Sequence, residues 1–240
     1  MKLDVIFSPV QADELFFTGR TTVVIDVLRA STTIVAALKN GAKEVVPVGT
    51  IEFAVKVSGG MFGGQTLLGG ERNTKKIDGF ALGNSPLEYT SEVVSGKTIV
   101  FFSTNGSRAI VKAKYSGNLF ICAFNNLQAL AAHLKKLNED VTILCSGNNN
   151  FFSLDDSVCA GMLINELVNE KKKVDLTDSS TGALTLFKSF GKNILKLLSE
   201  SEHGKLLINN GHKDDLKYCA ELNNTDIIPF YAGNTLKVLK

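Results

Sequence analysis

The chain has 240 residues, 44% of them hydrophobic and 21% charged, and its 26 Lys+Arg against 24 Asp+Glu leave a net charge of +2. That is enough apolar material for a sizeable core, in one large α/β domain or two small ones. It is too little net charge for a protein that grips nucleic acid through a broad basic face. No run approaches the roughly 18 apolar residues that a membrane-spanning helix needs, and Asp4 stands where a signal peptide would carry its apolar run.

Short β-branched runs alternate with helical patterns. In chain order the sequence predicts strands at 3–7, 22–26, 44–48, 66–68, 97–102, 119–123 and 141–145, and helices at 32–40, 51–58, 86–94, 105–114, 126–137 and 155–169. Several strands are apolar throughout, as strands covered on both faces are. The alternation predicts an α/β fold: a mixed, mainly parallel sheet with helices on both faces. Lys171, Lys172 and Lys173, the densest basic run, read as a solvated helix end.

From about residue 174 only helices follow, at 181–198, 202–209 and 213–222, before a strand-like 227–231. This helical C-terminal portion either caps the sheet or forms a subdomain. No repeat or low-complexity linker interrupts the chain, so a single domain over 1–240 is expected. Cys122, Cys145, Cys159 and Cys219 are scattered in apolar sequence without zinc-type spacing, which predicts buried reduced thiols and a cytoplasmic protein.

Arginine occurs only at Arg20, Arg29, Arg72 and Arg108, every other basic residue being Lys. Three of the four sit beside turn-forming or capping residues. A guanidinium is a rigid two-pronged donor to phosphate, carboxylate or sulfonate, whereas an ammonium is a flexible point charge. Arginines kept at loops in a lysine-rich chain point to a small oxyanion.

The sharpest segment runs from the strand at 22–26 into Asp26-Val27-Leu28-Arg29-Ala30-Ser31-Thr32-Thr33. An Asp at the carboxyl end of a buried strand lies where open α/β sheets place ligands. Ser31 or Thr32 caps the next helix, whose free N–H groups favour an anion. Asp26 is thus placed to hold a metal or to attack phosphorus, unless it merely caps a turn. Gly69-Gly70-Glu71-Arg72-Asn73 offers a second carboxylate and guanidinium. In Leu82-Gly83-Asn84-Ser85-Pro86-Leu87-Glu88, Ser85, Pro86 and Glu88 form a capping box, leaving Asn84 without a structural explanation.

Ser103-Thr104-Asn105-Gly106-Ser107-Arg108 repeats the pattern of strand, polar turn and Arg, with backbone amides that suit an oxyanion. Ser146-Gly147-Asn148 leads to a helix capped by Ser153, with Asp155 and Asp156 in its first turn. Hard oxygen ligands of this kind suit Mg²⁺. His133 reads as structural, His203 as exposed at a helix start, and His212 as part of a helix-joining turn. No Walker loop, Gly-x-Gly-x-x-Gly fingerprint or Gly-x-Ser-x-Gly elbow is present.

Taken together, 23–33, 70–73, 79–87, 103–110, 145–161 and 211–221 resemble the 2-phosphosulfolactate phosphatase family, in the family's order and over nearly the whole chain. Ile25-Asp26-Val27-Leu28-Arg29-Ala30-Ser31-Thr32-Thr33 and Thr104-Asn105-Gly106-Ser107-Arg108-Ala109 are the specific parts. The resemblance implies an Mg²⁺-dependent phosphatase that converts 2-phospho-3-sulfolactate to 3-sulfolactate and phosphate, a step of coenzyme M synthesis. The chain departs from the family at Ala81, where an Asp is usual, so a carboxylate that serves as metal ligand, substrate contact or turn cap is missing here.

Such a substrate carries phosphate, carboxylate and sulfonate on three carbons and needs several cations in one cleft. Asp26, Arg29 and Arg108 are the expected catalytic residues. Ser31, Thr32, Arg72, Asn84, Thr104, Asn105, Gly106 and Ser107 are the expected substrate contacts. Asp26, Glu71, Asp155 and Asp156 are the expected Mg²⁺ ligands, direct or through water. Either Asp26 attacks phosphorus or a carboxylate activates water. A small anionic phosphorylated substrate is the expected partner, without nucleic acid or membrane, and a homodimer is left open. The competing readings are a non-catalytic oxyanion-binding protein on the same scaffold and a nucleotide-dependent enzyme, the latter disfavoured by the missing glycine fingerprints.

Overall fold

Strands with every residue buried form the centre of the protein, because their Val, Ile, Leu and Phe side chains are covered from both faces. The computed structural model describes residues 1–60, 65–168 and 174–239. The Lys171, Lys172 and Lys173 run and the end of the helix expected to reach 169 lie outside the described residues. The strands are β1 (Lys2–Ile6), β2 (Thr21–Ile25), β3 (Glu44–Pro47), β4 (Thr66–Arg72), β5 (Lys75–Lys76), β6 (Thr98–Phe102), β7 (Asn118–Cys122), β8 (Val141–Cys145), β9 (Asp175–Leu176), β10 (Pro229–Ala232) and β11 (Thr235–Val238). The helices are α1 (Ala30–Lys39), α2 (Ile51–Gly60), α3 (Ser91–Val94), α4 (Gly106–Lys112), α5 (Leu127–Leu137), α6 (Leu154–Leu167), α7 (Asp178–Phe190), α8 (Ile194–Glu200), α9 (Glu202–Asn209) and α10 (Lys213–Cys219).

The sheet runs β5-β4-β6-β3-β11-β10-β7-β2-β8-β1-β9. Strands β4, β6 and β3 are mutually parallel, as are β7, β2, β8 and β1. Between these two groups lies the β10–β11 hairpin, antiparallel to β7 through Phe230 and Phe120 and to β3 through Leu236 and Val45. The two parallel groups therefore run in opposite directions. Helices α1 and α4 each pack against strands of both groups, and Ile34 and Ile110 share one apolar cluster with Ile99, Ile121 and Leu236. This packing brings the loop after β2 against the loop after β6, which decides where the site lies.

Several expected elements are redrawn. The helix expected at 86–94 divides into a 3-10 turn, Pro86–Glu88, and the short α3. Ser85 makes no capping bond: its hydroxyl donates to Asp215, while Glu88 accepts from the Gly83 N–H. The helix expected at 181–198 breaks after Phe190, and Asn193 caps α8 by accepting from the Lys196 N–H. Strand β11 is absent from the expected set. Its turn places Gly233 and Asn234 at φ of 59° and 64°, the geometry that two-residue hairpins favour.

The C-terminal helices join the main core. Ala183, Ile194, Leu197, Leu207 and Leu216 belong to the same apolar cluster as Val23 of β2 and Ile143 of β8. All four cysteines are free and buried. Among the described residues, no helix is long and apolar enough to cross a membrane.

Candidate active site

The turn after β2 is braced from within. The Asp26 N–H donates to Ser31 Oγ at 2.8 Å and Thr32 Oγ1 donates to the Val27 carbonyl at 2.9 Å. The first amides of α1 are also used locally: Ala30 N–H donates to Asp26 Oδ1 and Ser31 N–H to the Asp26 carbonyl. The expected free helix terminus is thus filled by the chain's own carboxylate. The turn after β6 has the same design, with Ser103 and Ser107 exchanging hydroxyl–amide bonds of 2.8 Å. Ser31, Thr32 and Ser107 are buried, and their hydroxyls hold the turns.

Where the two turns meet, Gly106 lies so close to Asp26 and Ala30 that a Cβ there would collide with both. Strand β4 continues past its expected end at 68 because Gly69 and Gly70 pair with Phe101 and Phe102. Gly70 has φ of 141°, and a Cβ on it would strike the Phe102 carbonyl. The extension delivers Glu71, whose Oε1 accepts the Thr104 N–H and whose Oε2 accepts the Thr74 N–H, each at 2.7 Å.

Asp26, Leu28, Arg29, Glu71, Thr74, Asn84, Asn105 and His203 line one narrow cleft. Asp26, Arg29, Glu71, Asn84 and Asn105 are thereby brought together as expected. Asp26 is 5% exposed. Removal from water pushes its pKa up to about 6; His203 and the Ala30 N–H pull it down, and Asp155 adds to the rise. Asn84, which lines the cleft, has its Oδ1 buried with no hydrogen-bond partner.

Asp155 and Asp156 sit behind this surface. Asp156 accepts from the Val27 N–H, the Ser146 hydroxyl and the Gly147 N–H at 2.9, 3.0 and 3.1 Å. Burial, with Asp155 and Asp26 nearby, raises its pKa well above the carboxylate range. Asp155 accepts from the Ser153 hydroxyl at 2.8 Å. Among the described residues, no three His, Cys, Asp or Glu side chains converge on a single metal position. The expected four carboxylates divide into Asp26 and Glu71 at the cleft and Asp155 and Asp156 beneath the loops.

The expected arginines also divide. Arg29 is buried in the cleft wall, its Nη1 2.6 Å from Asp215 Oδ2. Arg72 and Arg108 are exposed and line a neighbouring opening together with Thr104. A larger opening holds Thr104, Asn105 and Arg108 and joins this region to the cleft through Asn105. Convergence of three guanidiniums in one pocket is therefore corrected to one in the cleft and two at its approach. Arg20 lies elsewhere, over the Phe16 ring with its Nε donating to the Phe16 carbonyl.

Three cleft features escaped the sequence reading: His203, Thr74 and, behind Arg29, Asp215. His203 is half-buried rather than exposed. Its only sequence signal was a helix-start position, which many surface residues share. Ala81 is exposed and does not line the cleft.

Residues 7–234 match the 2-phosphosulpholactate phosphatase family. The chain belongs to that family. It is 36% identical over 240 residues to a protein of Clostridium botulinum strain Alaska E43 named "Probable 2-phosphosulfolactate phosphatase", with both chains covered in full. Proteins of the same name from Clostridium acetobutylicum and Symbiobacterium thermophilum are 39% and 41% identical, covering 98% and 95% of this chain and 100% and 97% of their own. In this member of the 2-phosphosulfolactate phosphatase family, the Asp26 and Asn105 turns are two of the segments that line the cleft.

Proposed function

We propose that the protein hydrolyses 2-phospho-3-sulfolactate, or a closely related small phosphorylated hydroxy acid, to the free hydroxy acid and phosphate, with Mg²⁺ as cofactor. The observation that carries this reading is the buried, unpartnered Oδ1 of Asn84, a residue that lines the same cleft as Asp26 and Glu71, in a chain of this family. Two carboxylates cannot by themselves welcome a phosphate dianion. Arg29 is already matched by Asp215, so a further cation is required.

Hard oxygen donors fit such an ion, because Mg²⁺ takes one or two carboxylates and leaves its other positions to water and substrate phosphate. Asp26 and Asn84 would hold it, and Glu71 would stand by while keeping the Thr74 and Thr104 amides in place. When bound, the ion neutralises phosphate charge. Asn105 lines the inner cleft, and Arg108 and Arg72 at the approach suit the substrate's remaining acid groups. Asp26, with its raised pKa, is suited either to attack phosphorus or to take a proton from water. Acid-quench trapping of a phosphorylated Asp26 selects the first route, and turnover without it selects the second.

The four buried free thiols suit a reducing cytoplasm. The deciding assay measures phosphate release from 2-phospho-3-sulfolactate and from phospholactate with Mg²⁺ and with EDTA. Release that needs Mg²⁺ supports the proposal. No release from either ester under any condition overturns it.

A further inference from the structure

Asp215 stands behind the cleft-lining Arg29, on α10 of the C-terminal portion, far in sequence from the Asp26 and Asn105 turns. Its Oδ2 is 2.6 Å from Arg29 Nη1, and its Oδ1 accepts the Ser85 hydroxyl at 2.6 Å. Both partners of the ion pair are almost fully enclosed, with side chains 2% and 4% exposed. Arg29 Nη2 donates to the Thr74 carbonyl at 3.1 Å. Thr74 is itself tied to Glu71 through its N–H and to Asn210 of the α9–α10 turn through its hydroxyl. The guanidinium is thus gripped at two of its five N–H groups, and the remaining three belong to a cleft-lining side chain.

His212, 3.6 Å from the same carboxylate, is too distant for a hydrogen bond. Burial, followed by the Arg29 charge, holds its pKa below the usual histidine value. Asp215 is therefore matched by Arg29 alone at neutral pH. An enclosed ion pair is a poor source of stability, since its desolvation cost rivals its attraction. Fixed orientation of a donor beside a reacting group is, in contrast, of direct use.

We infer that Asp215 is a positioning residue: it sets the plane of the Arg29 guanidinium toward the phosphate site and so makes the C-terminal helices part of the active site. This rests on the phosphatase reading above. The test compares kcat/KM and thermal unfolding of the full chain for wild type, Asp215→Asn, Arg29→Ala and the double variant. Asp215→Asn is expected to lower kcat/KM by about 10- to 100-fold. If Asp215 acts only through Arg29, the double variant stays within about threefold of Arg29→Ala alone.

Losses that multiply in the double variant, or an Asp215→Asn enzyme within about threefold of wild type, would overturn the inference. Should Asp215→Asn not fold, Ser85→Ala removes the second restraint on the carboxylate and keeps the ion pair. It is expected to lower kcat in the wild-type background and to have no further effect in the Arg29→Ala background, and an unchanged kcat overturns the inference. Calorimetric binding of inorganic phosphate separates the two readings. A wild type without turnover fails as a phosphatase, whereas phosphate binding of equal strength in wild type and Asp215→Asn fails the positioning role.

Discussion

Gly106 opens α4 directly against Asp26, leaving no room for a methyl group between its Cα and the Asp26 carboxylate. The contact joins the turns after β2 and β6, strands of two groups that run in opposite directions. Gly106→Ala is expected to displace Asp26 or the start of α4, costing about 1–3 kcal/mol of stability. It should also lower kcat/KM at least tenfold. Denaturant unfolding and steady-state kinetics on the same preparation check both, and wild-type values in each would show that the two turns are not in contact.

Asp26 is expected to trade stability for activity. Its folded-state pKa of about 6 stands above the usual 3.8, so its favourable contribution is complete below pH 3.8 and is lost as pH rises through about 6. The difference amounts to roughly 3 kcal/mol at neutral pH and above. Asp26→Asn removes the charge and keeps an oxygen for the Ala30 N–H. In EDTA at pH 8 it should be more stable than wild type by about 1–3 kcal/mol, with the gain vanishing near pH 3.5, while phosphate release falls by about 10³-fold or more.

Asn84 tests the open acceptor. Because its Oδ1 has no partner in the fold, Asn84→Ala should shift the unfolding free energy by less than about 1 kcal/mol. The Mg²⁺ concentration for half-maximal activity should rise about tenfold or more. Titrating activity against Mg²⁺ reads the effect, and an unchanged midpoint would take Asn84 out of the proposed cation site.

The central hairpin has its own acid sensitivity. Burial alone would raise Glu44, but the Lys237 ammonium 3.2 Å away, with the Thr98 and Thr235 hydroxyls, outweighs it and holds the carboxyl below the usual glutamate range. The stability this supplies is present above pH 4.5 and is lost as pH falls through the depressed value. Lys237→Ala should therefore flatten the acid limb of the stability curve and speed amide exchange in residues 229–238. An acid limb identical to wild type would show that the pair does not tie β11 to β3.

The strands that build the two parallel groups were legible because most carry short apolar runs, several of them rich in β-branched residues, a pattern no amphipathic helix shares. Strand β11 was not, since Lys237 and Val238 face solvent and only Thr235 and Leu236 are buried. The Asp26, Glu71 and Asn105 segments were legible because polar residues follow apolar strand runs, and Asn84 because no cap accounted for it. Ser85 and Glu88 misled because a capping box uses the same residue types as the contacts they make, Ser85 with distant Asp215 and Glu88 with nearby Gly83.

The amino-acid order alone determined the α/β class, the buried strands and the loops that carry polar chemistry, because hydrophobic periodicity and turn residues act over a few positions. The tertiary structure decided which loops meet, that Arg29 is paired with Asp215 across 186 positions, that His203 belongs to the cleft and that Arg72 and Arg108 stand outside it. Those outcomes depend on a C-terminal hairpin that reverses one group of strands relative to the other. Local spacing carries no trace of such a long-range closure, which packing of α1 and α4 between the groups enforces.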